Sequence, residues 1–210
     1  MIIRLSAVAL VLFLLTASVF GQAADRGLAG KDDADTKPED RTAQALFEDA
    51  NGYLGRRYQE FNKQNLPYDA KLEEKTKNEQ RELALKNAAI LKARTSLTND
   101  DLYYLGMLYH LAADADAALT TMHRLTKDTP DGEKAQAARN IIVLYSIKKG
   151  LTGLAEATVR DYASHQPQNP DDRYRMEFLI ADAFLRAKDF DSVIPHATEM
   201  MTAARAFAST

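Results

Sequence analysis

The 210-residue sequence has no cysteine and no tryptophan. The absence of cysteine excludes disulfides, thiolate catalysis, cysteine-bound metal and a lipoprotein anchor, and it leaves ambient redox without a direct handle on the protein. Positive charge is also short. The formal net charge is −3, and −4 once Arg4 is set aside with a leader, so there is no basic field to hold nucleic acid. No segment sustains the apolar–polar alternation that a sheet requires.

Recognisable catalytic chemistry is missing too. The histidines His110, His123, His165 and His196 share no ligand spacing such as i, i+4, and none sits in a metal or hydrolase motif. No serine occupies a Gly-x-Ser-x-Gly elbow. Gly150-Leu151-Thr152-Gly153 reads as an interhelical turn, not a phosphate cradle. The acid pairs Asp100-Asp101 and Asp171-Asp172 fall at helix starts, where they offset the helix dipole. These absences remove every positive reason to propose an enzyme, a cofactor or a metal.

What is present begins with Arg4, an apolar run over 5–20, and then small or polar residues from Gly21 to Ala24. That order predicts a secretory signal peptide over 1–21 and a periplasmic or secreted protein. The alternative is an inner-membrane anchor formed by residues 2–20, with the membrane touched only through an uncleaved leader. A leader would leave about 190 residues, enough for one domain with a core. Residues 22–41 carry no aromatic or branched apolar side chain except Leu28, and they predict a disordered linker. Asp32, Asp33 and Asp35 within it read as a solvated acidic tail, because the calcium-loop pattern is missing.

Residues 42–97 predict an N-terminal helical hairpin. Thr36 and Glu39 have capping-box spacing, and Leu46, Ala50, Tyr53, Leu54, Tyr58 and Phe61 recur at helical intervals up to Asn65. Leu66-Pro67-Tyr68 breaks the helix, and Asp69 can cap the next one, over 70–94. That second helix is laced with charge. Its apolar residues Leu72, Leu83, Ile90 and Leu91 form a narrow stripe that offers a seam for self-association.

Thr98 and Asp101 repeat the capping-box pattern and open an array over 98–210. The expected hairpins pair helices 100–112 with 115–127, 133–149 with 154–164, and 171–187 with 191–207. Asp128-Thr129-Pro130-Asp131-Gly132 and Gln166-Pro167-Gln168-Asn169-Pro170 separate them, and Gly150 supplies a left-handed helix end. In the first hairpin, Leu102, Leu105, Gly106 and Tyr109 are followed by Ala118, Met122 and Pro130. This spacing resembles the tetratricopeptide (TPR) repeat. Ile180, Ala181 and Phe184 match it in the third hairpin, where Lys188-Asp189-Phe190-Asp191 is similar to the TPR connector with Lys188 in place of glycine. In the second hairpin Ile141, Ile142 and Tyr145 keep only the apolar spacing, and the bulk of Ile142 is expected to open or tilt that helix pair.

The resemblance implies an all-α fold: a TPR-like helical hairpin array, a short α-solenoid of three repeats preceded by the long hairpin. It also implies a concave groove lined by Tyr103, Met107 and His110, then Asn140, Leu144 and Ile147, then Phe178, Asp182 and Arg186. Such a mixture suits a protein or peptide partner. Leu144, Ile147 and Phe178 could equally be core against a neighbouring helix. Tyr103, Met107 and Ala137 stand where TPR domains that clamp a terminal carboxylate carry lysine, asparagine and arginine, so that specificity is not expected. The leading expectation is an exported, non-catalytic interaction protein of the bacterial envelope. A second comes from Ala50-Asn51-Gly52-Tyr53, Leu66-Pro67-Tyr68-Asp69 and Asn78-Glu79-Gln80-Arg81. These stretches resemble the helical region preceding the thioredoxin-like domain of exported bacterial disulfide reductases, and imply an accessory region whose redox domain is absent from this chain.

Overall fold

Helix-favouring composition and well-placed caps give nine α-helices and no strand among the described residues, 37–67 and 69–208 of a computed structural model. The expected signal peptide, Thr36 and the acidic cluster at 32–35 lie outside the described residues. Within the stretch expected as linker, Pro38–Asp40 forms a single 3-10 turn.

The first expected helix is two helices. Helix α1 (Ala43–Asn51) is capped by Thr42, whose side chain accepts from the Ala45 amide, and it ends at Gly52. Helix α2 (Tyr53–Lys63) follows directly. The break has a physical cause in α3 (Ala70–Lys92). Gln80 Nε2 donates to the Ala50 carbonyl at 3.0 Å, and Asn87 Nδ2 donates to the Leu46 carbonyl at 2.8 Å. The Ala50 carbonyl, two residues before Gly52, is thus satisfied from a neighbouring helix, so the helix ladder need not continue there; the Leu46 carbonyl lies inside α1, and its bond to Asn87 ties α1 to α3.

Asp69 caps α3 as expected. Thr98 and Asp101 form the reciprocal capping box that opens α4 (Asn99–Leu111). The chain then continues as α5 (Ala115–Asp128), α6 (Glu133–Lys148), α7 (Thr152–Ser164), α8 (Pro170–Ala187) and α9 (Phe190–Phe207). Asp114, Asn169 and Asp189 cap α5, α8 and α9 through their side chains. Pro195 is accommodated inside α9 without ending it.

One turn recurs and fixes the register of the hairpins. Asn65, Ala113, Gly150 and Lys188 all adopt positive φ, at 50°, 59°, 72° and 62°. In each case the next amide reaches back five residues: Leu66 to Phe61, Asp114 to Tyr109, Leu151 to Ser146, and Asp189 to Phe184, all at 2.8–3.0 Å. This is the Schellman closure of a helix end. It sets Tyr109, Ser146 and Phe184 at one position, so Gly106, Val143 and Ala181 are equivalent. The expected match of Ile142 to Gly106 is therefore one residue out. Ile142 is fully buried in a cluster with α4 and α5, whereas Val143 packs with Ala155 and Val159 of α7.

Packing follows chain order. Helices α1 and α3 pack together and both touch α4; α4 packs on α5 and α6; α6 packs on α7 and α8; α8 packs on α7 and α9. Three apolar clusters fill the seams, centred on Leu46, Leu91 and Leu108, on Leu102, Met122 and Ile142, and on Val159, Tyr162 and Met176. Gly106 allows the closest approach: a Cβ there would lie 2.7 Å from Met122 Cε. The α3 stripe is used inside the molecule, with Leu91 fully buried and Leu83 and Ile90 packed on the first cluster. No helix among the described residues is long and apolar enough to cross a membrane.

Candidate functional site

The contacts between α4 and α6, and between α6 and α8, bring alternate helices side by side. The side of each helix turned away from its hairpin partner can therefore form a continuous face. On α4, Tyr103, Met107 and His110 are partly buried. Tyr103 stands edge-on to Tyr104, with ring centroids 5.2 Å apart, and burial pushes its hydroxyl up to about 12. Lys134 Nζ, ion-paired to Asp100 at 2.7 Å, lies over the Tyr104 ring at 5.0 Å. This cation–π arrangement closes one end of the face.

His110 turns towards α6. Its Nδ1 lies 3.1 Å from the Tyr145 hydroxyl, and burial, assisted by Lys148, holds the imidazole down at about 4. It is therefore a neutral hydrogen-bonding group at physiological pH. Burial likewise lifts the Tyr145 hydroxyl to about 12.

On α6, Asn140 reaches Asp172 of α8, whose carboxyl is pushed up chiefly by burial. Leu144 is partly exposed and belongs to none of the three clusters. Ile147 packs against the third cluster and is mostly a core residue. On α8, Phe178 is 39% exposed. Asp182 and Arg186 are paired with each other at 2.6 Å. Six of the nine expected groove residues thus sit on α4 and α6 with partial exposure. Phe178 and the Asp182–Arg186 pair continue along α8, with Phe178 and Arg186 exposed.

A second constellation has no signal in the sequence. Between α7, α8 and α9 lies a cleft of about 370 Å³ whose lining includes Glu156, Arg160, Arg173, Glu177, His196 and Glu199. Glu177 is 2% exposed. One of its oxygens takes Arg173 Nε at 2.7 Å and the other lies 2.6 Å from His196 Nδ1. His196 Nε2 faces Glu156 at 3.5 Å, and its ring stacks on Phe184. Both imidazole nitrogens face carboxylates. The arrangement is an ionic clamp holding α9 to α8 and α7. Glu177 and His196 are nineteen residues apart, which is why no local motif revealed them.

A larger concavity, about 690 Å³, runs along α3 and is lined by that helix alone, mostly by lysine and glutamate. Its side chains do not converge on a point. Among the described residues no group of three or more His, Asp or Glu side chains could hold a metal ion.

These features define an all-α protein of helical hairpins packed each on the next. No family model, no curated protein and no solved structure matches the chain.

Proposed function

We propose that this is an exported, non-catalytic, TPR-like protein of the bacterial envelope that binds a protein or peptide segment along the face formed by α4, α6 and α8. One observation carries the reading. Met107, Leu144 and Phe178, one from each of these helices, leave apolar surface accessible beside the polar groups Asn140, Asp182 and Arg186. An extended or helical segment is recognised by such spaced apolar anchors with polar groups between them. The TPR assignment rests on the Gly106–Met122 approach and on the recurrent turn. Export rests on the composition of residues 1–21.

The variants that test this are Leu144→Glu and Phe178→Ala, because neither side chain belongs to an apolar cluster. Crosslinking capture from the native envelope should recover a partner with the parent chain and lose it with the double variant, at unchanged helicity. Recovery of the same partner by both chains would place binding elsewhere.

A further inference from the structure

Lys134 stands in the first turn of α6, whose start has no side-chain cap and where the helix dipole disfavours a positive charge. Groups of α4 hold it there. Its Nζ lies 5.7 Å from the centroid of the Tyr103 ring, 5.0 Å from that of Tyr104 and 2.7 Å from Asp100 Oδ1. The two rings meet at 71°, forming a corner whose walls both attract one cation.

The charge around this corner is unbalanced. Helix α1 packs on α4 and brings the Phe47 ring centroid to 5.8 Å from that of Tyr104. The next residue, Glu48, is exposed, and its carboxylate accepts from the neutral Gln44 Nε2 at 2.7 Å. Burial is the main cause that lifts the Tyr104 hydroxyl; beyond it, Lys134 pulls the hydroxyl down while Asp100 and Glu48 lift it. Two carboxylates and one ammonium therefore act on the same ring, which leaves one negative charge in surplus. The resident ammonium is also exchangeable. The Lys134 and Asp100 side chains are 38% and 69% exposed, and so accessible an ion pair adds little net stability. An ammonium arriving from outside meets the same rings and the same Asp100 carboxylate, with Glu48 in addition, while Lys134 swings into water.

We propose that this corner is the anchor for a lysine of the bound segment, and that Lys134 occupies it in the free protein and yields it on binding. The inference rests on the face formed by α4, α6 and α8 as the docking surface. It adds the Glu48 end of α1 to that face and gives the partner's chemistry: a segment with a basic residue about one helical turn from the apolar group that meets Met107.

The test uses the full-length chain and N-acetyl-lysine methylamide as the probe, followed by NMR of the Tyr103 and Tyr104 rings, which Tyr103→Phe and Tyr104→Phe assign. N-acetyl-norleucine methylamide, with a similar side chain but no charge, is the control. The lysine probe should shift both rings and the norleucine probe neither. Lys134→Ala should tighten the lysine probe roughly fivefold by removing the resident competitor, and Asp100→Asn should weaken it by a similar factor. Equal shifts from the two probes, or none from the lysine probe, overturn the proposal, as does a Lys134→Ala chain that binds the lysine probe no better than the parent. No captured partner enters this readout, so such a result removes the anchor and leaves the docking face standing. The face itself falls only if the Leu144→Glu, Phe178→Ala chain still captures the same partner.

Discussion

The α4–α5 and α8–α9 hairpins close with the same turn, yet they differ at one inward position. Seven residues before the carbonyl that accepts the turn amide stands Leu102 in α4, Arg139 in α6 and Glu177 in α8. All three are at most 2% exposed. Leu102 needs only apolar neighbours, and it finds Met122 and Leu125. Arg139 needs acceptors, supplied by Asp161 at 2.7 Å and the Pro130 carbonyl at 2.8 Å. Glu177 needs donors, supplied by Arg173 and His196. One backbone geometry therefore tolerates an apolar, a cationic or an anionic side chain, provided the next helix or turn brings the complement. The first solution is stable as it stands, whereas the charged ones depend on every partner being in place.

The largest test of this contrast is Glu177→Ala. It strips Arg173 and His196 of their shared acceptor and should cost about 4 kcal/mol. Native-state hydrogen exchange should show α9 losing protection while α4 and α5 keep theirs. Uniform loss along the chain would show that the clamp is not local.

His110, in the first of these hairpins, adds a dependence on pH. It is held down at about 4 by burial and by Lys148. A depressed histidine contributes full stability above its unfolded value of 6.5, and the contribution is lost as pH falls towards about 4. The loss should approach 3 kcal/mol. In denaturant titrations between pH 7 and 4, His110→Gln should show a correspondingly shallower decline than the parent. Equal slopes would rule out His110 as the source.

The α4–α5 seam itself breaks through Gly106. Gly106→Val places a branched side chain against Met122 and should cost about 2 kcal/mol by overpacking. Combining it with Met122→Ala should cost less than the sum of the two single changes. Val143 already occupies the equivalent place in α6, in a cluster with the smaller Ala155 and Val159. The requirement for glycine therefore belongs to this one helix pair, which faces a methionine.

Periodicity, caps and turn residues made the helices legible from sequence, because Thr98, Asp69 and Gly150 act on atoms within a few residues of themselves. The α1–α2 break was not, since it depends on Gln80 reaching the Ala50 carbonyl from thirty residues along the chain. The slip at Ile142 has a similar origin. Ile141, Ile142 and Val143 are all apolar, so composition cannot say which one faces α7, and only the Leu151–Ser146 hydrogen bond settles it. Of the groove residues, Leu144 and Ile147 looked alike in sequence; the third cluster claims Ile147 and leaves Leu144 outside. The Glu177–His196 clamp needed the fold before its two halves could meet.

The smallest effect returns to the turn that the hairpins share. Ala113 and Lys188 hold a left-handed conformation that costs a residue with a Cβ roughly 1 kcal/mol, whereas Gly150 holds it freely. Lys188→Gly and Ala113→Gly should each raise stability by up to about 1 kcal/mol, partly offset by the greater freedom of glycine in the unfolded chain. Gly150→Ala should lower stability by a similar amount. Thermal melts of the three single variants check this directly. Opposite signs for the two directions of substitution would establish the turns as equivalent. A loss at Lys188→Gly would show instead that the lysine side chain contributes more than its backbone strain removes.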